Sequence, residues 1–159
     1  MDWQKLINAL SEEKAVCQEL IALAEEKKDA VLQKNIEQLD SVVRREQGAV
    51  MRLGHWEKQR ISCLETPKDH PGSPTLLFFA ETAPSPEREV LRALHKDLSA
   101  LIETLRSANA ENKAMIESRL EYVRFVLDML NEDQTSGVYS AGGASSYSSG
   151  SQKILDKKV

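Results

Sequence analysis

Apolar residues recur at alternating intervals of three and four along most of this 159-residue chain. Such spacing places them on one face of an α-helix, and it runs through three stretches, at residues 2–33, 36–65 and 86–131. Between the apolar positions the chain is rich in Ala, Leu, Glu, Lys, Gln and Arg, which enter helices at the least cost. The sequence therefore predicts an all-α fold, an elongated coiled-coil-like bundle of a long helical hairpin and a longer third helix.

Each stretch supplies an apolar stripe that we expect to be buried. The first consists of Trp3, Leu6, Ile7, Leu10, Cys17, Leu20, Ile21, Ala24, Val31 and Leu32. The second consists of Ile36, Leu39, Val43, Val50, Leu53, Trp56 and Leu64. The third consists of Leu91, Leu94, Leu98, Leu101, Leu105, Ala108, Asn112, Met115, Arg119, Tyr122, Val126 and Met129, with a flanking row of Val90, Ile102, Ile116, Leu120, Val123, Leu127 and Leu130.

Local signals set the ends of these helices. Asn35 is suited to cap the second helix, with Gln38 three residues on as in a capping box, so the first two helices form an antiparallel hairpin. Residues 66–85 contain four prolines, which indicate a connector between helices. Within it, Ser73 to Phe79 can form one short docked helix. Ser85 as the cap and Pro86 at the first helical position open the third helix.

Beyond residue 131 the composition changes to Ser, Gly and isolated Tyr. Such a segment has too little apolar area to offset the entropy lost on ordering. We therefore expect a helical domain over residues 1–131 and a flexible tail over residues 132–159.

Charge and composition exclude several classes of protein. The net charge is −4 and the pI about 5.5, without the basic stripe of a nucleic-acid binder. No signal peptide and no run long enough to span a bilayer are expected. Cys17 and Cys63 lie in helical apolar patterns, which favours small buried thiols in a reducing compartment over a disulfide. We expect a cytoplasmic protein that does not insert into membranes.

Catalysis and metal binding find no support in the sequence. His55, His70 and His95 are far apart, and none follows a Glu at the spacing used by carboxylate-bridged metal bundles. No phosphate-binding glycine loop, Cys-x-x-Cys pair or nucleophile elbow occurs. We expect a protein that is not an enzyme and needs no cofactor.

Several short motifs occur in an order that resembles the FlgN family of flagellar type III export chaperones. Residues 25–32 followed by 35–39 resemble that family's hairpin turn, and residues 45–47, Leu53 and 57–60 its second helix. Residues 109–112 are similar to a paired Asn of the family, and 121–123 precede Leu127 and Leu130. Residues 138–143 and 154–159 resemble its tail. The resemblance covers almost the whole chain.

The resemblance implies a cytoplasmic chaperone that keeps the hook–filament junction proteins FlgK and FlgL soluble and delivers them to the flagellar export gate. It implies no nucleotide or metal. The alternative is a homodimeric coiled-coil scaffold or adaptor without chaperone activity, because self-association through the apolar helix faces would suit the same composition.

Helix lengths suggest where clients bind. At about 1.5 Å per residue, the third helix is longer than the hairpin and is expected to pass the Asn35 turn by about 20 Å. The candidate client face is the apolar part of that end: Met115, Ile116, Leu120, Tyr122, Val123, Phe125, Val126, Leu127, Met129 and Leu130. Exposed apolar surface of this extent suits an amphipathic client helix. Alternatively, the short helix of residues 76–79 or a second copy of the chain covers it.

A tail tyrosine is the second candidate site. In the FlgN family, a tyrosine followed by Gly just past the last helix is implicated in docking to the export gate, and Tyr139 matches it. Tyr147, which is surrounded by serines, is the weaker candidate. A tyrosine on a flexible segment offers a large apolar ring and a hydroxyl for anchoring in a pocket.

Overall fold

The computed structural model describes residues 1–64 and 76–136, with side chains up to residue 131. Within those ranges the chain forms four α-helices and no strand: α1 at Trp3–Leu32, α2 at Ile36–Cys63, α3 at Leu76–Thr82 and α4 at Ser85–Ser136. The predicted all-α class is confirmed, as are the hairpin and the longer helix after it. The chain divides into two units, Met1–Leu120 and Glu121–Val159. The predicted division at residue 131 stays a prediction.

Side-chain caps begin the two hairpin helices. The Asp2 carboxylate accepts the amide of Lys5 at 3.1 Å, and the Asn35 side-chain oxygen accepts the amide of Gln38 at 3.0 Å. Lys34 turns the chain with a left-handed φ of 57°. The predicted capping box is only half formed, because the amide of Asn35 donates to the carbonyl of Ala30 at 2.9 Å.

Ion pairs across the hairpin show its direction. Arg45 pairs with Glu26 at 2.6 Å and Arg52 with Glu19 at 2.7 Å, so residue numbers rise along α2 as they fall along α1. The predicted antiparallel hairpin is therefore present.

Within the first unit, α4 runs parallel to α1. Lys14 pairs with Asp97 at 2.6 Å and Lys28 with Glu111 at 2.7 Å, so residue numbers rise together along both helices. One core cluster joins the start of α1 to α3 and the start of α4: Leu6, Leu10, Cys17, Ala80, Ala83, Leu91, Leu94 and Leu98. A second cluster joins α1 to α2: Val16, Leu20, Leu23, Val42 and Ala49.

The connector's short helix forms as α3 and is docked in the first unit. Phe79 and Ala80 are buried, and Ala80 packs in the cluster that contains Leu6. Residues 65–75, which include the predicted start of this helix at Ser73, lie outside the described residues.

The ends of α4 differ from the prediction. The amide of Arg88 donates to the carbonyl of Pro84 at 2.8 Å, so the hydrogen-bond ladder begins one residue early and Ser85 is a helical residue. The helix also continues to Ser136, five residues beyond the expected end. Residues 132–136 carry no apolar stripe that would predict a helix, although Glu, Asp and Gln are tolerated in one.

The predicted buried stripe of α2 was wrong at two of its seven positions and omitted the two residues that are fully buried. Ile36 and Val50 are exposed, and the buried residues are Val42 and Ala49, with Leu53 and Trp56 packed beside them. The true stripe also includes charged positions, Glu46 and Arg60, and these form ion pairs with α1. Lys27 donates to Glu46 at 2.7 Å and Arg60 to Glu13 at 2.9 Å.

Candidate functional site

The first three residues of the candidate client face lie in the first unit. The Arg119 guanidinium donates to the carbonyl of Leu32, the last residue of α1, at 3.4 Å. This contact places α4 near residue 119 at the hairpin turn. Met115 and Ile116 are half-buried, while Leu120 is exposed.

Sequence reasoning missed an exposed apolar pair at the same turn. Leu32 and Ile36 were both expected on buried stripes, yet Leu32 is 52% exposed and Ile36 is 79% exposed. The signal was available for Ile36, because a residue directly after an N-cap lies in the first helical turn, where fewer neighbours surround it. The end of the hairpin therefore presents apolar side chains to solvent.

The other seven residues of the face lie in the second unit, and most are exposed. Tyr122, Val123, Phe125, Leu127, Met129 and Leu130 are between 51% and 68% exposed, and Val126 is half-buried. Isolated exposed apolar residues are ordinary on a protein surface, whereas a contiguous group marks an interaction site.

Their order along the helix makes the group contiguous. At about 100° per residue, the seven side chains occupy an arc of roughly 200° centred on Val126. The polar residues Glu121, Arg124, Asp128 and Asn131 occupy the remaining arc. A helix that is apolar over more than half its circumference needs partners on that side.

Aliphatic and aromatic side chains dominate this surface. Apolar side chains carry no general acid, base or nucleophile, and they gain free energy when another surface removes them from water. Among the residues that the structure describes, no three His, Cys, Asp or Glu side chains lie close enough to hold a metal ion. In the same residues no helix is long and apolar enough to cross a membrane.

Two ionisable groups of the first unit, Glu13 and Cys17, have pKa values shifted by burial. Burial raises the pKa of the Glu13 carboxyl, against the opposing effect of the Arg60 guanidinium that donates to it. Burial likewise raises the pKa of the Cys17 thiol. Cys17 and Cys63 are both free thiols, buried and half-buried respectively. These shifts accompany packing of α1 and do not assemble a reactive centre.

One buried polar side chain stands out in α4. Asn112 is 3% exposed and its Nδ2 donates to the carbonyl of Ala24 in α1 at 2.8 Å. Its Oδ1 has no protein hydrogen-bond partner in the part of the chain that the structure describes. The side chain therefore fixes α4 against α1 at one point along the bundle.

The sequence matches the model of the family described as FlgN protein over residues 1–146. The chain belongs to the FlgN family. FlgN is a family of flagellar chaperones and not of enzymes, which agrees with an exposed apolar surface as the candidate site. This FlgN protein is also 23% identical over 141 residues to the uncharacterized protein YvyG of Bacillus subtilis (strain 168), with 88% of each chain covered. No solved structure matches it.

The family match bears on the two tail candidates. It includes Tyr139 and ends at residue 146, one residue before Tyr147. Both tyrosines lie outside the described residues.

Proposed function

We propose that this FlgN protein is a cytoplasmic export chaperone that binds the hook–filament junction proteins FlgK and FlgL and delivers them to the flagellar export gate. The observation that carries the proposal is the exposed apolar group in residues 122–130 of a chain that belongs to this family. Client binding would cover that group, together with Leu120, Met115 and Ile116.

Physical chemistry favours helical clients at this surface. An amphipathic client helix can lay its apolar stripe along α4, and each large apolar side chain fully removed from water contributes about 1.5–3 kcal/mol. Because most of the α4 side chains are already in place on a regular helix, little further ordering of the chaperone is required. No nucleotide or metal enters this binding step.

The binding test replaces two exposed members of the face by a charged residue. In Leu120→Asp with Leu127→Asp, a carboxylate would enter the client interface at each position, which is costly when it is left unpaired. We expect affinity for purified FlgK, measured by titration calorimetry, to fall by at least about a hundredfold. Helicity should be retained, because Leu120 is 51% and Leu127 53% exposed.

The matched control is Arg124→Asp, which introduces the same residue and the same total change of two negative charges on the polar arc of α4. It should bind FlgK nearly as well as the unaltered protein does. Equal affinity of the folded double variant and the control would contradict this location of the client site.

The homodimeric scaffold is tested with the same preparations. A tight dimer in sedimentation equilibrium without client, together with no binding to FlgK or FlgL, would replace the chaperone proposal by the scaffold. A monomer that forms a complex with FlgK supports the chaperone.

Gate docking through the tail is the second part of the proposal. Tyr139 is the proposed anchor, supported by its place within the family match and by the amphipathic character of a tyrosine ring. Tyr139→Ala should leave FlgK affinity unchanged, weaken binding to the cytoplasmic domain of the gate and slow FlgK secretion. Tyr147→Ala is the matched control in the same tail. Normal secretion and gate binding by Tyr139→Ala would show that the anchor lies elsewhere.

A further inference from the structure

The hairpin itself shows how much of a helix its neighbours can cover. Helix α1 contacts α2 through the Glu26–Arg45 ion pair and α4 through the Ala24–Asn112 hydrogen bond, and its first half also packs in the cluster that contains Ala80 of α3. Positions seven residues apart lie on one line along a packed helix. The eleven buried residues of α1 fall on three of the seven such lines: Leu6, Glu13 and Leu20; Ala9, Val16, Leu23 and Ala30; and Leu10, Cys17, Ala24 and Val31.

A fourth line of α1 is covered only at its edge. Ile7 and Ile21 belong to it and are half-buried. Glu19 and Glu26 lie on a fifth line and are half-buried as well, so the neighbours of α1 cover five of its seven lines, two of them only in part.

Residues 122–130 present five apolar lines, as many as the neighbours of α1 cover in full or in part. Tyr122 and Met129 share one line and Val123 and Leu130 a second, while Phe125, Val126 and Leu127 occupy three more. Only two lines are polar, that of Glu121 and Asp128 and that of Arg124 and Asn131. Phe125 and Leu127, on opposite edges of the apolar arc, are 61% and 53% exposed.

We infer that the client presents two amphipathic helices to α4, one packed on the Phe125 side and one on the Leu127 side, with Val126 between them. The inference rests on the proposed function and specifies its partner. A single client helix laid along Val126 would leave both edges of the arc in water, because its own contact stripe is only about 100° wide. Two client helices, one on each edge, cover all five apolar lines, the number that the neighbours of α1 cover.

The polar lines favour the same arrangement. They leave the remaining arc of α4, with two carboxylates and one guanidinium, to face solvent. Charges at the rim of an interface affect association rates and specificity more than they affect affinity. The two client helices are thus expected to meet α4 through apolar residues, with cations placed toward Glu121 and Asp128.

The experiment tests the two edges separately. Phe125→Asp and Leu127→Asp each place one carboxylate on one edge, and Val126→Asp places it at the centre. Asn131→Asp is the control, with the same introduced residue and the same change in charge on a polar line. Affinity of each full-length variant for purified FlgK is measured by titration calorimetry, with circular dichroism and sedimentation equilibrium recorded for the free protein.

Two client helices require that both edge variants and the centre variant lose at least about tenfold in affinity relative to Asn131→Asp. A loss of FlgK affinity at only one edge, or only at the centre, would indicate a single client helix and overturn the inference. The proposed client site would still stand in that case. Unchanged affinity in all three variants overturns the client site as well. If Phe125→Asp or Leu127→Asp instead dissociates a dimer of the free protein and leaves FlgK affinity unchanged, a second copy covers that edge and the inference fails.

Should an edge variant lose helicity, Phe125→Ala and Leu127→Ala provide the same comparison with a strong helix former. Each removes the apolar edge without adding charge. A loss of affinity in only one of these two would again indicate a single helix.

Discussion

Replacing Asn112 by Leu tests the energetic consequences of a buried amide in α4. The side chain is 3% exposed, makes one hydrogen bond to the Ala24 carbonyl and leaves Oδ1 without a protein partner in the described residues. Ala24 lies inside α1, where a carbonyl already accepts the amide four residues on. Removing the Asn112 donor therefore does not leave that carbonyl unpaired.

The expected change has three contributions. Loss of the hydrogen bond lowers the free energy of unfolding by about 1 kcal/mol, and removal of an unsatisfied buried acceptor raises it by about 1–3 kcal/mol. Burying a leucine side chain adds about 1.5–3 kcal/mol, part of which is lost to imperfect packing. Asn112 borders a groove beside Lys27, Glu46 and Ile116, which leaves room for the branched side chain. We expect Asn112→Leu to raise the free energy of unfolding by about 2 kcal/mol.

Urea unfolding followed by circular dichroism measures this change, and Tm should rise by about 4–8 °C. Asn112→Ala is the companion variant, because it removes the amide without adding apolar volume, and it should be less stable than Asn112→Leu by about 2–3 kcal/mol. If Asn112→Leu is less stable than the unaltered protein by 1 kcal/mol or more (about the value of one hydrogen bond), Oδ1 is satisfied in solution and the reasoning fails.

Two further predictions concern the hairpin. Burial raises the Glu13 pKa, so the folded protein disfavours the ionised carboxyl, and stability is lost as pH rises from the ordinary Glu value of about 4.3 through the raised one. Glu13→Gln, whose amide oxygen can still accept from Arg60, should flatten that dependence in urea titrations; an unchanged slope would contradict the shift. Gly48→Ala and Gly54→Ala should each raise the free energy of unfolding by about 0.5–1 kcal/mol, because Ala favours a helix more than Gly does. Nothing lies within 4 Å of either added Cβ atom. A lower free energy of unfolding in either variant would contradict this expectation and indicate that the added methyl group meets a neighbouring atom.

The number and order of the helices could be predicted from the sequence because each depends on local signals. The Asn35 side-chain oxygen accepts from the amide of Gln38, only three residues along the chain, and proline disfavours a helix interior whatever its tertiary neighbours are. Such signals do not need a tertiary neighbour. They missed the end of α4, where polar helix formers follow the last apolar residue.

The face of α2 could not be predicted in the same way, because a charged residue at a helix interface does not stand out in a pattern of apolar positions. Glu46 and Arg60 face α1, where Lys27 and Glu13 neutralise them. The side chains of the Lys27–Glu46 pair are only 13% and 21% exposed. A paired charge with a long aliphatic stem can occupy a helix interface, and its partner is remote in sequence. Counting apolar residues alone therefore shifted the predicted stripe toward Ile36 and Val50.

The candidate site shows a different limit of pattern reasoning. Leu91, Leu94 and Leu98 follow the same 3-4 spacing as Tyr122, Val126 and Met129, yet the first three are buried and Tyr122 and Met129 are exposed. The spacing indicates only that one face of a helix is apolar. Burial of that face also requires a neighbouring element, and the three leucines pack against α1 and α3. An apolar face without such a neighbour is costly in water unless another chain covers it. In a FlgN protein, the residues that obey the helical pattern but are not buried within their own chain are thus the ones to test first with clients.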